Sequence, residues 1–227
     1  MLRNRHTAIL FCSLLALVVV AIQGASAGLS NESVVALHVT AAVSKGNLCD
    51  LLDPVPCSNF VVSRPSQSGY FIFLVATRVD SAIGIGRLSC GLSAPTFIPT
   101  SWHLCADSEF RFGPWPLDGG GNRIEWSANN CQRTEYEQFE DDGVRAVAGH
   151  FYVYAYGNGS LGVTPNHAAG DSQLVVTDCN DNDMVVEIAG GIVGFGTTPG
   201  FNPCLVLVGS QKSTWGYLKT MFGGPRQ

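Results

Sequence analysis

Short runs of apolar and β-branched residues recur along residues 34–208, and glycine, proline, asparagine and aspartate separate them. The clearest run, 70–79 (YFIFLVATRV), is apolar enough to be buried on both faces, and in 151–156 (FYVYAY) every second residue is tyrosine. A period of two is typical of a β-strand. Further strands are predicted at 34–43, 83–92, 97–105, 144–156 (which ends in this alternation), 161–164, 174–177, 184–188 and 205–208. The pattern predicts an all-β antiparallel sandwich, Ig-like or jelly-roll-like.

A different period occurs only near the end of the chain. Trp215, Leu218 and Phe222 are spaced for one face of a helix, with Ser213 as N-cap and Gly223 as the stop. The spacing predicts a short C-terminal helix within a tail, 211–227. This tail either docks on the sandwich or serves as a sorting or attachment tag.

The first 27 residues have the three-part pattern of a secretory signal peptide. Arg3 and Arg5 precede an uncharged apolar run, 8–22, and Ala25-Ser26-Ala27 provides the small residues of a cleavage site. The run is too short for a comfortable membrane span. We therefore expect a signal peptide at 1–27, a secreted domain at 28–210, and an extracellular or periplasmic protein without a membrane span after processing.

The charge balance argues against polyanionic partners. The chain carries 13 basic and 18 acidic residues, a net charge of −5, and loss of Arg3 and Arg5 with the signal would make it −7. An acidic chain is a poor candidate for nucleic acid or for an anionic membrane surface.

Seven cysteines lie outside the predicted signal, which is an odd number for a disulfide-bonded exported protein. Short loops favour Cys49–Cys57 and Cys105–Cys131. A third bridge would use two of Cys90, Cys179 and Cys204, leaving one unpaired unless it links chains. The set expected to be bridged is Cys49, Cys57, Cys105, Cys131, Cys179 and Cys204.

The catalytic motifs in the sequence do not have the context that catalysis needs. A GxSxG at 24–28 straddles the predicted cleavage site, and a GxGxxG at 157–162 precedes a strand rather than a helix. Asn158-Gly159 instead predicts a hairpin turn. The four histidines outside the signal have no metal-binding spacing, and His38 and His150 are interpreted as sheet-face residues.

Two groups of residues remain as candidate sites. Oxygen ligands are densest at 178–183, so calcium is the one cofactor considered, although the EF-hand pattern is incomplete. Aromatic residues lie beside a glycine-rich loop, 110–122, where they either fill the core or stack on sugar rings. The candidate metal ligands are Asp178, Asn180, Asp181 and Asp183; the candidate ligand-binding residues are Trp102, Phe110, Trp115 and Trp126.

Together these patterns predict a secreted, disulfide-stabilised binding or structural β-domain without catalytic activity. The alternatives are a carbohydrate-binding module and an extracellular hydrolase whose site is invisible in sequence. A cell-surface or polysaccharide ligand is expected at the loops 110–122 and 191–203, so Trp115→Ala is expected to fold and lose binding. The oligomeric state stays open.

Several motifs resemble uncharacterised secreted proteins of uncultured bacteria, over most of the chain after the signal. The resemblance implies a bacterial exported β-domain and assigns no activity or catalytic residue. The motifs are Trp102-x-x-Cys105-Ala106, Glu109-Phe110, Gly113-x-Trp115-Pro116, Gly119-Gly120, Trp126, Cys131-Gln132, Ala146-x-Ala148-Gly149-x-Phe151-Tyr152, Gly194-Phe195-Gly196, Pro199-Gly200-x-Asn202-Pro203-Cys204 and Thr214-Trp215-Gly216-x-x-Lys219.

Overall fold

The computed structural model describes residues 32–42, 48–49, 55–96, 98–135 and 142–206, and this part of the chain is all-β. The predicted signal peptide and C-terminal helix lie outside the described residues. The strands are β1 (Val34–Ala41), β2 (Ser63–Arg64), β3 (Ser68–Val79), β4 (Arg87–Ser93), β5 (Ser101–Leu104), β6 (Ser108–Phe112), β7 (Gly121–Glu125), β8 (Val144–Ala155), β9 (Gly159–Thr164), β10 (Val175–Thr177), β11 (Asp183–Val185) and β12 (Ile192–Phe195).

The strands form two sheets, which gives a sandwich-like architecture. Sheet A has the order β1-β3-β8-β5 and is antiparallel throughout. Sheet B has the order β11-β10-β4-β9-β12-β2, with β7 on β4 and β6 on β7. Its β12–β2 pair is parallel. The described helical turns are short 3-10 segments: Cys57–Asn59, Ala128–Asn130, His167–Ala169 and Pro203–Leu205.

The main core fills the space between the two sheets. On β3, Tyr70, Ile72 and Leu74 point into it, and Phe151 and Val153 do so from β8. The alternation predicted for 151–156 is confirmed because the intervening tyrosines lie on the other face of sheet A. Every second side chain of the two long strands therefore packs against sheet B.

The opposite face of sheet A is buried as well, which explains why 71–76 is apolar at every position. Phe71, Phe73 and Val75 form a second apolar cluster there. Two stretches of chain cover it, and we call them together the cover: residues 48–49 and 55–61, and residues 203–205. Leu48, Cys57, Phe60 and Cys204 are its buried members.

Three details of the strand prediction are wrong. The predicted loop 110–122 includes the end of β6 and the start of β7, which pair as a hairpin. The glycines and prolines between them led to the prediction of a loop alone. The predicted hairpin turn at Asn158-Gly159 joins β8 in sheet A to β9 in sheet B, so it crosses between sheets. The expected strand at 205–208 begins as a 3-10 turn, Pro203–Leu205, and residues 207–208 lie outside the described residues.

The six cysteines expected to be bridged are bridged, but the predicted pairing is wrong. The structure contains Cys49–Cys105, Cys57–Cys204 and Cys131–Cys179, with Cα–Cα distances of 5.4, 5.7 and 5.9 Å. Short-loop statistics failed because the sheets bring distant segments together. The first bridge attaches the cover to the residue after β5, and the second joins the two stretches of the cover to each other. The third joins loops beside the start of β4, where Gln132 and Cys179 bond to Ile85 and Ile83.

Cys90 is the free cysteine among the described residues, as one of the three predicted options allowed. It lies on β4 in the main core, where burial raises the pKa of its thiol to about 12. A protonated, buried thiol is a poor nucleophile. In the described part of the chain, no helix is long and apolar enough to cross a membrane.

Candidate functional site

Histidines and aromatic rings form a row across the outer face of sheet A. The register places His38 opposite Phe73, Phe73 opposite His150, and His150 opposite His103. The His103 and His150 rings are stacked, with centroids 5.1 Å apart and planes 18° from parallel. Because the register is fixed by four paired strands, these side chains occupy defined positions on one face.

The cover bonds to this row through backbone amides. Leu48 N donates to His150 Nε2 over 3.3 Å, and Val61 N donates to His38 Nδ1 over 3.0 Å. Both ring nitrogens must be unprotonated to accept these bonds. Burial, and then the charge of the neighbouring His103, lower the pKa of His150 to about 4. The neutral imidazole therefore persists at neutral pH.

A buried ion pair holds the middle of the cover. Asp142 Oδ2 accepts from Cys57 N at 2.6 Å and from Arg145 Nη2 at 3.1 Å. The same guanidinium donates to Val55 O and lies 5.4 Å from the ring centre of Phe60. The two charges are almost fully enclosed, so each depends on the other for compensation.

At the end of β8, two tyrosines on this face are exposed. We call Tyr154 and Tyr156, together with Gln67, the tyrosine edge. Tyr156 is 74% exposed and Tyr154 37% exposed, and their ring centroids are 4.5 Å apart. Gln67 fastens both: its carbonyl accepts from Tyr154 Oη and its side-chain amide donates to Tyr156 O.

The structure separates the four aromatic residues proposed from sequence. Trp115 and Trp126 are buried in the main core, 6% and 5% exposed, and Trp102 is partly buried against it. Trp102 contacts both Trp115 and Phe151. Only Phe110 is fully at the surface, 65% exposed and packed edge-on against Phe112. The indoles therefore act as core residues, and Trp115→Ala would open a cavity.

The two loops proposed from sequence as binding surfaces are also only partly exposed. Residues 110–122 form the end of the β6–β7 hairpin and place Leu117 in solvent, but they turn Trp115 inward. Residues 191–203 contain β12, which buries Phe195 completely and pairs with β2. The second loop thus begins with a strand of sheet B.

The acidic turn at 178–183 is organised by its own hydrogen bonds. Asp178 is buried, and its carboxylate accepts from Asn180 N and from both nitrogens of Asn182. Asp183 accepts from the Thr177 hydroxyl, and Asp181 pairs with Arg87. Three of the four proposed calcium ligands, Asp178, Asp181 and Asp183, thus make hydrogen bonds or ion pairs within and beside this turn.

The sequence analysis missed the residues that the structure brings together. The sequence predicts only that Tyr154 and Tyr156 share one strand face, and it does not single them out, although their alternation is the available signal. The pairing of His103 with His150, and the position of Cys49 beside them, follow from strand register and chain crossing. No short spacing encodes either relation.

The comparisons with known proteins give little further information. No family model and no curated protein matches the chain. A cohesin module from a Clostridium perfringens ATCC13124 family 33 glycoside hydrolase aligns with a TM-score of 0.42 and 11% identity, covering 72% of this chain and 98% of the module. A chain from the CaDoc0917–CaCohA2 complex at pH 5.5 aligns with a TM-score of 0.34 and 12% identity, covering 72% of this chain and 99% of its own length. At these TM-scores a shared fold is not established.

Proposed function

We propose that this protein is an extracellular, disulfide-stabilised, non-catalytic domain that binds a neutral polysaccharide through the tyrosine edge. The observation that carries the proposal is the exposed pair of Tyr154 and Tyr156, 4.5 Å apart at the end of β8. Phenol rings have an apolar face and a polar hydroxyl, which suits a sugar's C–H faces and hydroxyl groups.

The tyrosine edge is held in place before any ligand arrives. β8 pairs with β3 along most of its length and with β5 at residues 149–152, so Tyr154 lies on a strand whose backbone is held opposite Gly69 of β3. Gln67 adds bonds to both tyrosines. Preorganised side chains lose little entropy on binding, which favours affinity from a small contact area.

The net charge restricts the class of polysaccharide that the protein would bind, and the disulfides restrict the compartment in which it would work. A net charge of −5 disfavours acidic polysaccharides, so a neutral chain of sugars is the better partner. Three disulfides persist in an oxidising environment, which supports an extracellular or periplasmic location. The resemblance to bacterial exported proteins points the same way.

Affinity electrophoresis through gels containing neutral polysaccharides tests the proposal. Tyr156→Ala and Tyr154→Ala are each expected to weaken retardation by roughly tenfold, the equivalent of about 1.4 kcal/mol of stacking. Phe110→Ala and Val185→Ala remove exposed apolar groups elsewhere and should leave retardation unchanged.

Three results would contradict this function. Loss of retardation in Phe110→Ala alone would move the binding surface to the β6–β7 hairpin. Absence of binding to every neutral polysaccharide, with binding to a protein partner instead, would overturn the ligand class. Hydrolysis of glycoside, ester or peptide substrates well above background would overturn the non-catalytic assignment.

A further inference from the structure

Three metal-ligating side chains meet on the outer face of sheet A where the edge strand β5 pairs with β8. One ligand atom from each of Cys49, His103 and His150 lies within 4.8 Å of the other two. His103 comes from β5 and His150 from β8, while Cys49 comes from the cover. Segments of the chain that are distant in sequence therefore bring their side chains together at one place.

His150 has a nitrogen without a hydrogen-bond partner in the described structure. The residue is only 3% exposed, and its buried Nδ1 has no bonding partner. Its Nε2 accepts one long bond from the amide of Leu48, the neighbour of Cys49. The imidazole is thus incompletely satisfied. A metal bond at Nε2 would replace its single long hydrogen bond, and the strength of the metal bond must exceed the cost of leaving the buried Leu48 amide without its acceptor.

Cys49 is the ligand whose chemistry depends on redox state. In the structure it is bonded to Cys105, with Cα atoms 5.4 Å apart. A disulfide sulfur is uncharged and binds metals weakly, whereas a thiolate is a strong ligand for soft cations. Reduction would therefore supply a ligand beside two imidazoles that the sheet already holds together.

We propose that Cys49, His103 and His150 form a redox-gated site for a thiophilic divalent cation, with Zn²⁺ as the reference ion. An external dithiol donates two electrons and two protons, cleaving the Cys49–Cys105 bond to two thiols and becoming a cyclic disulfide. The cation then binds the Cys49 sulfur with release of its proton, and binds the neutral imidazoles of His103 and His150. Cys105 or water fills the fourth position.

The geometry and donor set fit this cation. Zn–N and Zn–S bonds of about 2.0–2.3 Å in a tetrahedron place ligand atoms roughly 3.3–3.8 Å apart. In the present structure the three ligand atoms lie within 4.8 Å of one another, so movements of about 1 Å would bring them to the separations that a bound zinc ion requires. One sulfur and two nitrogens suit zinc and cobalt, whereas calcium and magnesium require oxygen ligands.

Cobalt titration of Cys105→Ala tests the proposal without a reductant. This variant leaves Cys49 as a free thiol, so Co²⁺ should bind one-to-one and produce a near-ultraviolet thiolate-to-cobalt absorption band. Cys49→Ala is the matched control because it loses the same disulfide and retains the other sulfur. We expect binding in this control, and in Cys105→Ala combined with His103→Asn, to be at least roughly tenfold weaker, since even outer-shell changes cost 10–100-fold.

The wild-type protein provides the second measurement. Oxidised, it should show no thiolate band when Co²⁺ is added. After reduction by a dithiol and removal of the excess dithiol, which itself binds cobalt, the band should appear, and a chelator should remove it. Equal bands in Cys49→Ala and Cys105→Ala, or no band in a Cys105→Ala protein with native circular dichroism, would overturn the proposal. If Cys105→Ala does not fold, absence of the band in reduced, folded wild type is the deciding negative result.

Discussion

At the scale of single residues, the Asp142 carboxylate links the cover to sheet A. It joins the amide of Cys57 to the guanidinium of Arg145, and both charged side chains are enclosed. A buried pair need not add net stability over an apolar pair, but removing one partner strands the other charge in a low-dielectric environment. The chain also contains an exposed pair, Arg87 with Glu125, which offers a direct comparison.

We expect Asp142→Asn to lower the free energy of unfolding by about 3–5 kcal/mol, because the buried Arg145 guanidinium and the Cys57 amide both lose a charged acceptor. Glu125→Gln removes the same kind of charge from an exposed pair and should cost less than about 1 kcal/mol. Urea denaturation followed by circular dichroism measures both. Similar losses in the two variants would show that the Asp142 pair is not buried in solution.

At the scale of elements, the packing of β5 on β8 depends on a residue without a side chain. Gly149 lies opposite Leu104 in the register, and the indole of Trp102 crosses over it. A Cβ at this position would overlap both the Trp102 ring and the backbone carbonyl of His103. The backbone carbonyl belongs to a paired strand and cannot move aside easily.

Gly149→Ala is therefore expected to destabilise the protein by about 1–3 kcal/mol, the usual cost of overpacking a filled site. Gly157→Ala is the matched control, because a Cβ there meets nothing within 4 Å. It should change the free energy of unfolding by less than about 1 kcal/mol. Thermal unfolding of the two variants gives the comparison, and a neutral Gly149→Ala would refute the packing described for β5.

The elements also show what a sequence can predict here. Strands β3 and β8 were predictable because a two-residue period records the burial of each face locally. The β6–β7 hairpin was not, since its glycines and Pro114 and Pro116 have the composition of a loop. Disulfide partners and the His103–His150 pair depend on which strands become neighbours, and this information is spread over contacts more than 40 residues apart.

At the scale of the whole molecule, sheet A separates two apolar clusters that are held together in different ways. The main core is enclosed between two sheets, whereas the outer cluster is enclosed by the cover, which has little regular structure. Cys57–Cys204 spans 147 residues and attaches both stretches of the cover to each other. In the chain-entropy description a loop of this length contributes about 5 kcal/mol.

Removing this bridge by Cys57→Ala/Cys204→Ala is expected to uncouple the two clusters. In a Trp215→Phe background, the emission of Trp102, Trp115 and Trp126, which all pack in or against the main core, reports that core, while binding of an apolar dye reports the outer face. We expect dye binding at urea concentrations where tryptophan emission is still native, because the strand pairs of sheet A stay packed against sheet B after the cover detaches. Cys131→Ala/Cys179→Ala is the control, since that bridge joins loops beside β4, and its two probes should change together. Coincident transitions in the Cys57→Ala/Cys204→Ala protein would show that the cover and the main core unfold as one cooperative unit.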